Sequence, residues 1–120
     1  MACFFAPEFD DGDVGWAQLM LVRHGRLWPV WWHRIPSFNL PPPVRRGSDV
    51  YIAGLMYAAR INVKTGKFVW RHRGVYETGD MDAPKSLTLS DNIVIVRGTA
   101  SGEPKSMCFV QSTGAVVSCP

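Results

Sequence analysis

Hydrophobic and polar positions alternate in short bursts along this chain and never settle into a helical period. Eight segments stand out: AQLMLV, DVYIAGL, ARINV, KFVWR, KSLTL, NIVIVRG, SMCFV and AVVSC. Each is short, rich in β-branched or aromatic residues, and bounded by Gly, Pro, Asp, Asn or Ser, the pattern of strands and their turns. No window places apolar residues at i, i+3, i+4 and i+7 between a cap and a C-terminal glycine. The nearest candidate, Val14 to Val22, is short and carries Gly15 at its start. The pattern predicts an all-β chain: a small antiparallel sheet domain, arranged as a sandwich, a barrel or partial propeller-like blades, with an extended Pro/Trp-rich arm.

Within that pattern one unit recurs. Thr65-Gly66 is echoed by Thr113-Gly114, and His24-Gly25 takes the equivalent place upstream, so the three glycines lie 41 and 48 residues apart (25, 66, 114). SDVYIAGL and SDNIVIVRG introduce the second and third copies. The unit reads strand, linker, strand, Thr-Gly turn, strand. Glycine suits such a turn because it reaches positive φ without a Cβ clash. A two-residue loop at Thr65-Gly66 would set Ile61, Val63, Phe68 and Trp70 on one face. Arg60, Asn62, Lys64, Lys67 and Arg71 would take the other.

The stretch VYIAGLMYAARINVKTGKFVW resembles the repeat of PQQ-like β-propeller proteins, in which a strand leads through a short turn to ALD..TG..W. Asn62 stands where that pattern has Asp, and Trp70 supplies its Trp. The likeness covers about 25 residues around Val50 to Trp70. A partial echo runs from Asn92 to Ser118, where Ser118 stands near the Trp position, and the first copy matches poorly. The resemblance implies four-stranded blades. Propellers need about four to eight of these, and a chain of this length supplies roughly three. A ring would therefore require several copies of the chain, or the sheets would pack in another way.

Length and composition narrow the frame. The 120 residues predict a single β domain over 1–120, with an N-terminal arm over 1–13 and an extended Pro/Trp-rich segment over 28–47. Hydrophobic residues make up 47% and charged residues 19%, a globular balance. Apolar runs fall far short of the roughly 20 residues of a membrane helix. The N-terminus, MACFFAPEFDDGD, has no basic region ahead of its short apolar stretch, so no secretory signal is expected. A virion or cytoplasmic location follows as the expectation. The net charge of +3 is only mildly basic, below what would argue for nucleic acid as the main partner.

The segment WPVWWHRIPSFNLPPPVRRGSD carries five prolines between residues 29 and 43. Proline fixes φ and removes a donor, so this segment cannot be a central strand. Its large aromatics must cover a surface, either the protein's own sheet or a neighbouring subunit. Interface candidates are Phe4, Phe5, Trp28, Trp31, Trp32, Phe38, Pro41, Pro42 and Pro43.

Three cysteines, Cys3, Cys108 and Cys119, form no CxxC pair. A two-residue loop at Thr113-Gly114 would face Cys108 with Cys119 as a hydrogen-bonded pair, whose side chains stand further apart. A cross-strand disulfide is conceivable there, but free thiols in a reducing cytosol are the expectation.

Recognisable chemistry is scarce. Lys64-Thr65-Gly66 and Ser90-Asp91-Asn92 occur in penicillin-binding enzymes, but here their order is reversed and no Ser-x-x-Lys accompanies them. Gly66-Lys67 lacks the upstream glycine of a phosphate loop, and Phe68 stands where Ser or Thr would coordinate magnesium. His24, His33 and His72 each adjoin arginine and have no metal-ligand spacing, so surface or hydrogen-bonded roles are expected. Asp10, Asp11 and Asp13 do not complete a calcium loop. In FVWRHRGVY the aromatic and basic residues fall on opposite faces of the expected hairpin, unlike a single-strand binding platform.

No catalytic, cofactor or metal residue is assigned. The leading expectation is a non-enzymatic structural or assembly protein, one of many subunits in a larger particle, such as a bacteriophage capsid-decorating or tail component, with other protein subunits as partners. The alternative is a PQQ-like or lectin-type propeller binding module for a ligand or protein. A small enzyme with an unfamiliar site, assembled from distant strands, is the third possibility.

Overall fold

The computed structural model describes residues 2–9, 15–23, 26–28, 31, 33–36, 41–54, 57–73, 81 and 83–120. All regular structure among them is β, in three four-stranded antiparallel sheets. The first sheet joins β1 (Ala2–Phe9), β2 (Gly15–Arg23) and β3 (Arg26–Trp28), with β4 (Arg34–Pro36) also paired to β2. The second is a meander of β5 (Val44–Arg46), β6 (Asp49–Ala53), β7 (Tyr57–Asn62) and β8 (Phe68–Arg73). The third repeats that meander with β9 (Ala83–Ser90), β10 (Ile93–Ala100), β11 (Glu103–Val110) and β12 (Val116–Val117).

Both segments expected as arms are woven into sheets. Residues 2–9 pair along their length with β2, and 28–47 contributes β4, β5 and the end of β3. The three-residue strands suit a proline-broken segment: such a chain stays extended but cannot sustain a long ladder.

The second and third sheets share their construction. Each begins with a tight two-residue turn whose first residue has positive φ, Gly47 (60°) and Asp91 (49°). Each ends its third strand in the same four-residue loop. Gly66 N–H donates to Asn62 O (2.8 Å) and Asn62 N–H to Lys67 O (2.9 Å); Gly114 N–H donates to Val110 O (2.7 Å) and Val110 N–H to Ala115 O (2.8 Å). Gly66 (φ 73°) and Gly114 (φ 76°) close these loops in the left-handed region. The Thr-Gly motif therefore makes a four-residue loop, not the expected two-residue one.

That difference resets the registers. In the third sheet Cys108 pairs with Val117, not Cys119. Cys119 then lies two residues beyond, on the same side as Val117, and joins Cys108 in a disulfide with Cα atoms 5.2 Å apart. Alternation puts both sulfurs on the face of β11 away from Met107 and Phe109. The expectation of free thiols is thus corrected. In the second sheet a bulge follows: Ile61 pairs with Phe68 but Arg60 with Trp70, leaving Val69 as the extra residue. A one-residue slip moves every later side chain to the other face, so Trp70 leaves the Ile61 face and joins Arg60.

The second sheet is buried on both sides, which is why β6 reads as a nearly unbroken apolar run. One face, Val50, Ile52, Tyr57, Ala59, Ile61 and Val63, packs with Phe68 and receives Trp31. The other, Tyr51, Ala53, Ala58 and Trp70, meets Leu87, Val94, Val96, Met107 and Phe109 of the third sheet. Two layers of side chains thus hold the stack, each contributing through apolar area removed from water.

Two predictions follow from this geometry. A Cβ at Gly114 would lie 2.5 Å from the Trp70 ring, whereas one at Gly47 would meet nothing within 4 Å. Gly114→Ala is expected to cost about 3 kcal/mol, combining left-handed strain with overpacking, and Gly47→Ala about 1 kcal/mol from strain alone. Urea denaturation monitored by tryptophan emission measures both, and equal costs would rule out the packing contribution. Reducing the disulfide with a dithiol, or replacing Cys119 by Ser, is expected to remove about 2–3 kcal/mol by releasing a short loop. The same denaturation curves under reducing and oxidising conditions check it.

Candidate functional site

Where the second and third sheets meet at their turn ends, a cleft of about 430 Å³ opens, lined by Arg46, Asp49, Tyr51, Arg60, Asn92, Val110, Gln111 and Ser112. Its residues come from the flanks of the two tight turns, from the Thr113-Gly114 loop, and, for Tyr51 and Arg60, from β6 and β7. The local fold therefore places polar side chains at one end of an apolar seam.

Gln111, 8% exposed, is the centre of this end. Its backbone N–H donates to Asn92 O (2.7 Å), and its backbone carbonyl accepts from Trp70 Nε1 (2.7 Å) and Arg60 Nη1 (3.2 Å). The side-chain amide nitrogen donates to Asp91 O (2.8 Å) and Ile93 O (3.1 Å). The side-chain oxygen accepts from Arg46 Nη1 at 3.2 Å and, at a long 3.5 Å, from the Tyr51 hydroxyl. A buried amide satisfied at each end costs little to bury and fixes the sheets' relative placement.

Arg60 is not part of a solvated basic face, as its hairpin position suggested. It points towards the third sheet, donating through Nε (3.0 Å) and Nη2 to Asp49 Oδ2, and its guanidinium lies 5.5 Å from the Tyr51 ring centre. The four-residue loop and the bulge account for the change, because they turn Trp70 onto the Arg60 face. Arg71, in turn, stacks over Phe68 at 4.6 Å. Cations and rings are thus interleaved after all. The rings of Tyr51 and Trp70, at 3% and 9% exposure, are spent on the protein's own seam, leaving them closed to a stacking base.

The same cross-sheet contact occurs twice. Trp31 donates its indole N–H to Val63 O (2.5 Å) and lies against Gly66; Trp70 donates to Gln111 O (2.7 Å) and lies against Gly114. Val63 and Gln111 each stand three residues before the loop glycine. A histidine two residues after each tryptophan covers the same loop. His33 Nε2 is 2.5 Å from Gly66 O, whereas His72 stacks on Trp70 and its buried Nε2 has no hydrogen-bond partner. His72 so departs from the hydrogen-bonded or surface role expected of it. His24 lies outside the described residues.

Of the interface candidates, Trp31 covers the protein's own second sheet. Pro41 is buried, Pro42 exposed and Pro43 half-buried. Phe4 and Phe5 stand on β1 in register with Met20 and Leu19, and Trp28 on β3 with Leu21. Trp32 and Phe38 lie outside the described residues, as do Asp10, Asp11 and Asp13. Sequence reasoning passed over Gln111, Arg46, Asp49 and Tyr51. A usable signal was Gln111 itself, a polar residue at the position where the preceding unit has Val63.

Among the described residues no group of three or more His, Cys, Asp or Glu is placed to hold a metal ion, and no helix is long and apolar enough to cross a membrane. No family model matches the chain, and no curated protein matches it.

Burial raises the Tyr51 pKa above the ordinary phenol value of 10.0; Arg60 and Arg46 oppose the rise and Asp49 adds to it. A phenol whose folded pKa lies above its unfolded one stabilises fully below about pH 10 and loses that contribution as pH climbs through the folded value. Tyr51→Phe should therefore match the wild type at pH 8 and become the more stable of the two on the alkaline side. Denaturation midpoints from pH 8 to 12 test this, and parallel curves would show that folding leaves the phenol's pKa unchanged.

Proposed function

We propose that this chain is a non-catalytic recognition module of the PQQ-like propeller kind, built from stacked four-stranded sheets and recognising its target at the cleft between the second and third. The observation that carries the reading is the repeated docking of a tryptophan onto the Thr-Gly loop of the next sheet, Trp31 on Gly66 and Trp70 on Gly114. A blade in a radial repeat has neighbours on both faces, and the cover on both faces of the second sheet supports the reading. The cleft is concave, polar and framed by rigid turns, a setting in which few side chains orient a ligand. Its groups are engaged in holding one another, and the reading assigns it no bond-making step.

A structural role as one of many subunits, in a virion or another particle, was drawn from aromatic residues needing a partner's surface. Trp31 finds that surface within its own chain, which shifts support towards the recognition module. The two readings separate in one experiment. Amide shifts of the ¹⁵N-labelled protein are followed against a panel of polar small molecules and short peptides, together with native mass by light scattering. The recognition reading expects saturable shifts confined to residues 46–51, 60, 92 and 110–112, in a particle whose mass does not depend on the ligand. A large assembly with these residues protected and silent would overturn it in favour of the subunit role.

A further inference from the structure

We infer that the cleft binds a carboxylate flanked by a hydrogen-bond donor, with Arg46 as the residue that grips it; this deepens the recognition reading above and rests on it. Arg60 is neutralised by Asp49, both of its bonds falling on Oδ2. Among the described residues Arg46 has no such partner: its hydrogen bonds there, to Asp91 O (3.0 Å) and Gln111 Oε1 (3.2 Å), both end on neutral carbonyl oxygens. The two arginines and one aspartate lining the cleft leave one positive charge there, and it belongs to Arg46.

Geometry makes that charge specific. Both bonds leave from Nη1, so Nε and Nη2 of Arg46 have no hydrogen-bond partner among the described residues. Those two nitrogens form one edge of the guanidinium fork, the edge that accepts the two oxygens of a carboxylate side by side. The bonds from Nη1 hold the plane in place beforehand, which lowers the ordering cost of binding. Further donors surround it: the Tyr51 hydroxyl, held only by its long contact to Gln111, the Asn92 amide and the Ser112 hydroxyl. One acceptor remains as well, because Asp49 Oδ1 takes no hydrogen bond among the described residues. It would suit an O–H or N–H next to the carboxylate. A free hydroxy acid has this chemistry, and so does an acidic residue with its own backbone N–H in an extended peptide.

Isothermal titration of the full chain tests the assignment with three probes: L-malate, an acetylated tri-glutamate peptide, and erythritol as a neutral polyol of similar size. Saturable binding of malate or of the peptide is expected. It should weaken tenfold or more in Arg46→Gln, the loss of a charge-assisted pair, and remain unchanged in Arg97→Gln, whose parent side chain bonds Thr88 outside the cleft. Arg46→Lys keeps the charge without the fork and should fall between; circular dichroism confirms that each variant keeps its β signature. Malate alone binding identifies a small acid as the source of the carboxylate, and the peptide alone binding identifies a protein partner. Binding of erythritol but of neither acid overturns the carboxylate assignment and leaves the recognition module standing. No binding of any probe, or undiminished binding by Arg46→Gln, overturns the site.

Discussion

The stack depends on one constraint: the last loop of the second sheet and of the third must each accept a tryptophan from the preceding part of the chain. Trp70 spans that joint. Its ring needs the space that Gly114 leaves by having no Cβ, and its N–H needs the carbonyl of Gln111. Remove the space and the ring is forced out of the apolar layer formed by Val94, Val96, Met107 and Phe109. Remove the carbonyl's alignment and a buried donor loses its partner, which costs more than the bond contributes when made. Trp31, Gly66 and Val63 repeat the arrangement one sheet earlier, so the chain solves one packing problem twice with the same residue types.

Polar chemistry at the seam follows from this docking. At the turn ends of the two sheets the backbone carbonyls of Asp91, Ile93 and Gln111 each accept from a side chain. The Gln111 amide serves Asp91 and Ile93, Arg46 adds a bond to Asp91, and Trp70 and Arg60 serve Gln111. Arg60 and Asp49 then neutralise each other beside Tyr51. What remains unspent at the mouth among the described residues, one edge of Arg46 and one oxygen of Asp49, is left over from a network whose first task is to hold the sheets. Recognition at such a place needs little further ordering, since the groups are held before a ligand arrives.

Two parts of the molecule show how a local irregularity decides global placement. The bulge at Val69 adds a single residue to β8, yet it sends Trp70 to the face of the third sheet instead of leaving it with Ile61. The four-residue loop at Gln111 to Gly114 shifts β12 by two residues, and so brings Cys119 past its facing position and onto Cys108. Neither shift changes composition or hydrophobic pattern. Both change which side chains touch.

Much of the architecture was legible in the chain. Alternating apolar residues determined the strands from Asp49 onwards, proline placement limited 28–47 to short edge pieces, and the recurrence of Thr-Gly marked the two equivalent loops, because only glycine tolerates their positive φ cheaply. What sequence could not decide was partnership across faces. Loop length and the bulge set the register, and register has no sequence signal as strong as alternation. Arg60 therefore read as solvated, Cys108 as unpaired and Gln111 as unremarkable, until the third sheet closed over the second. Each of those roles depends on a neighbour more than ten residues away in the chain, and tertiary packing alone supplies it.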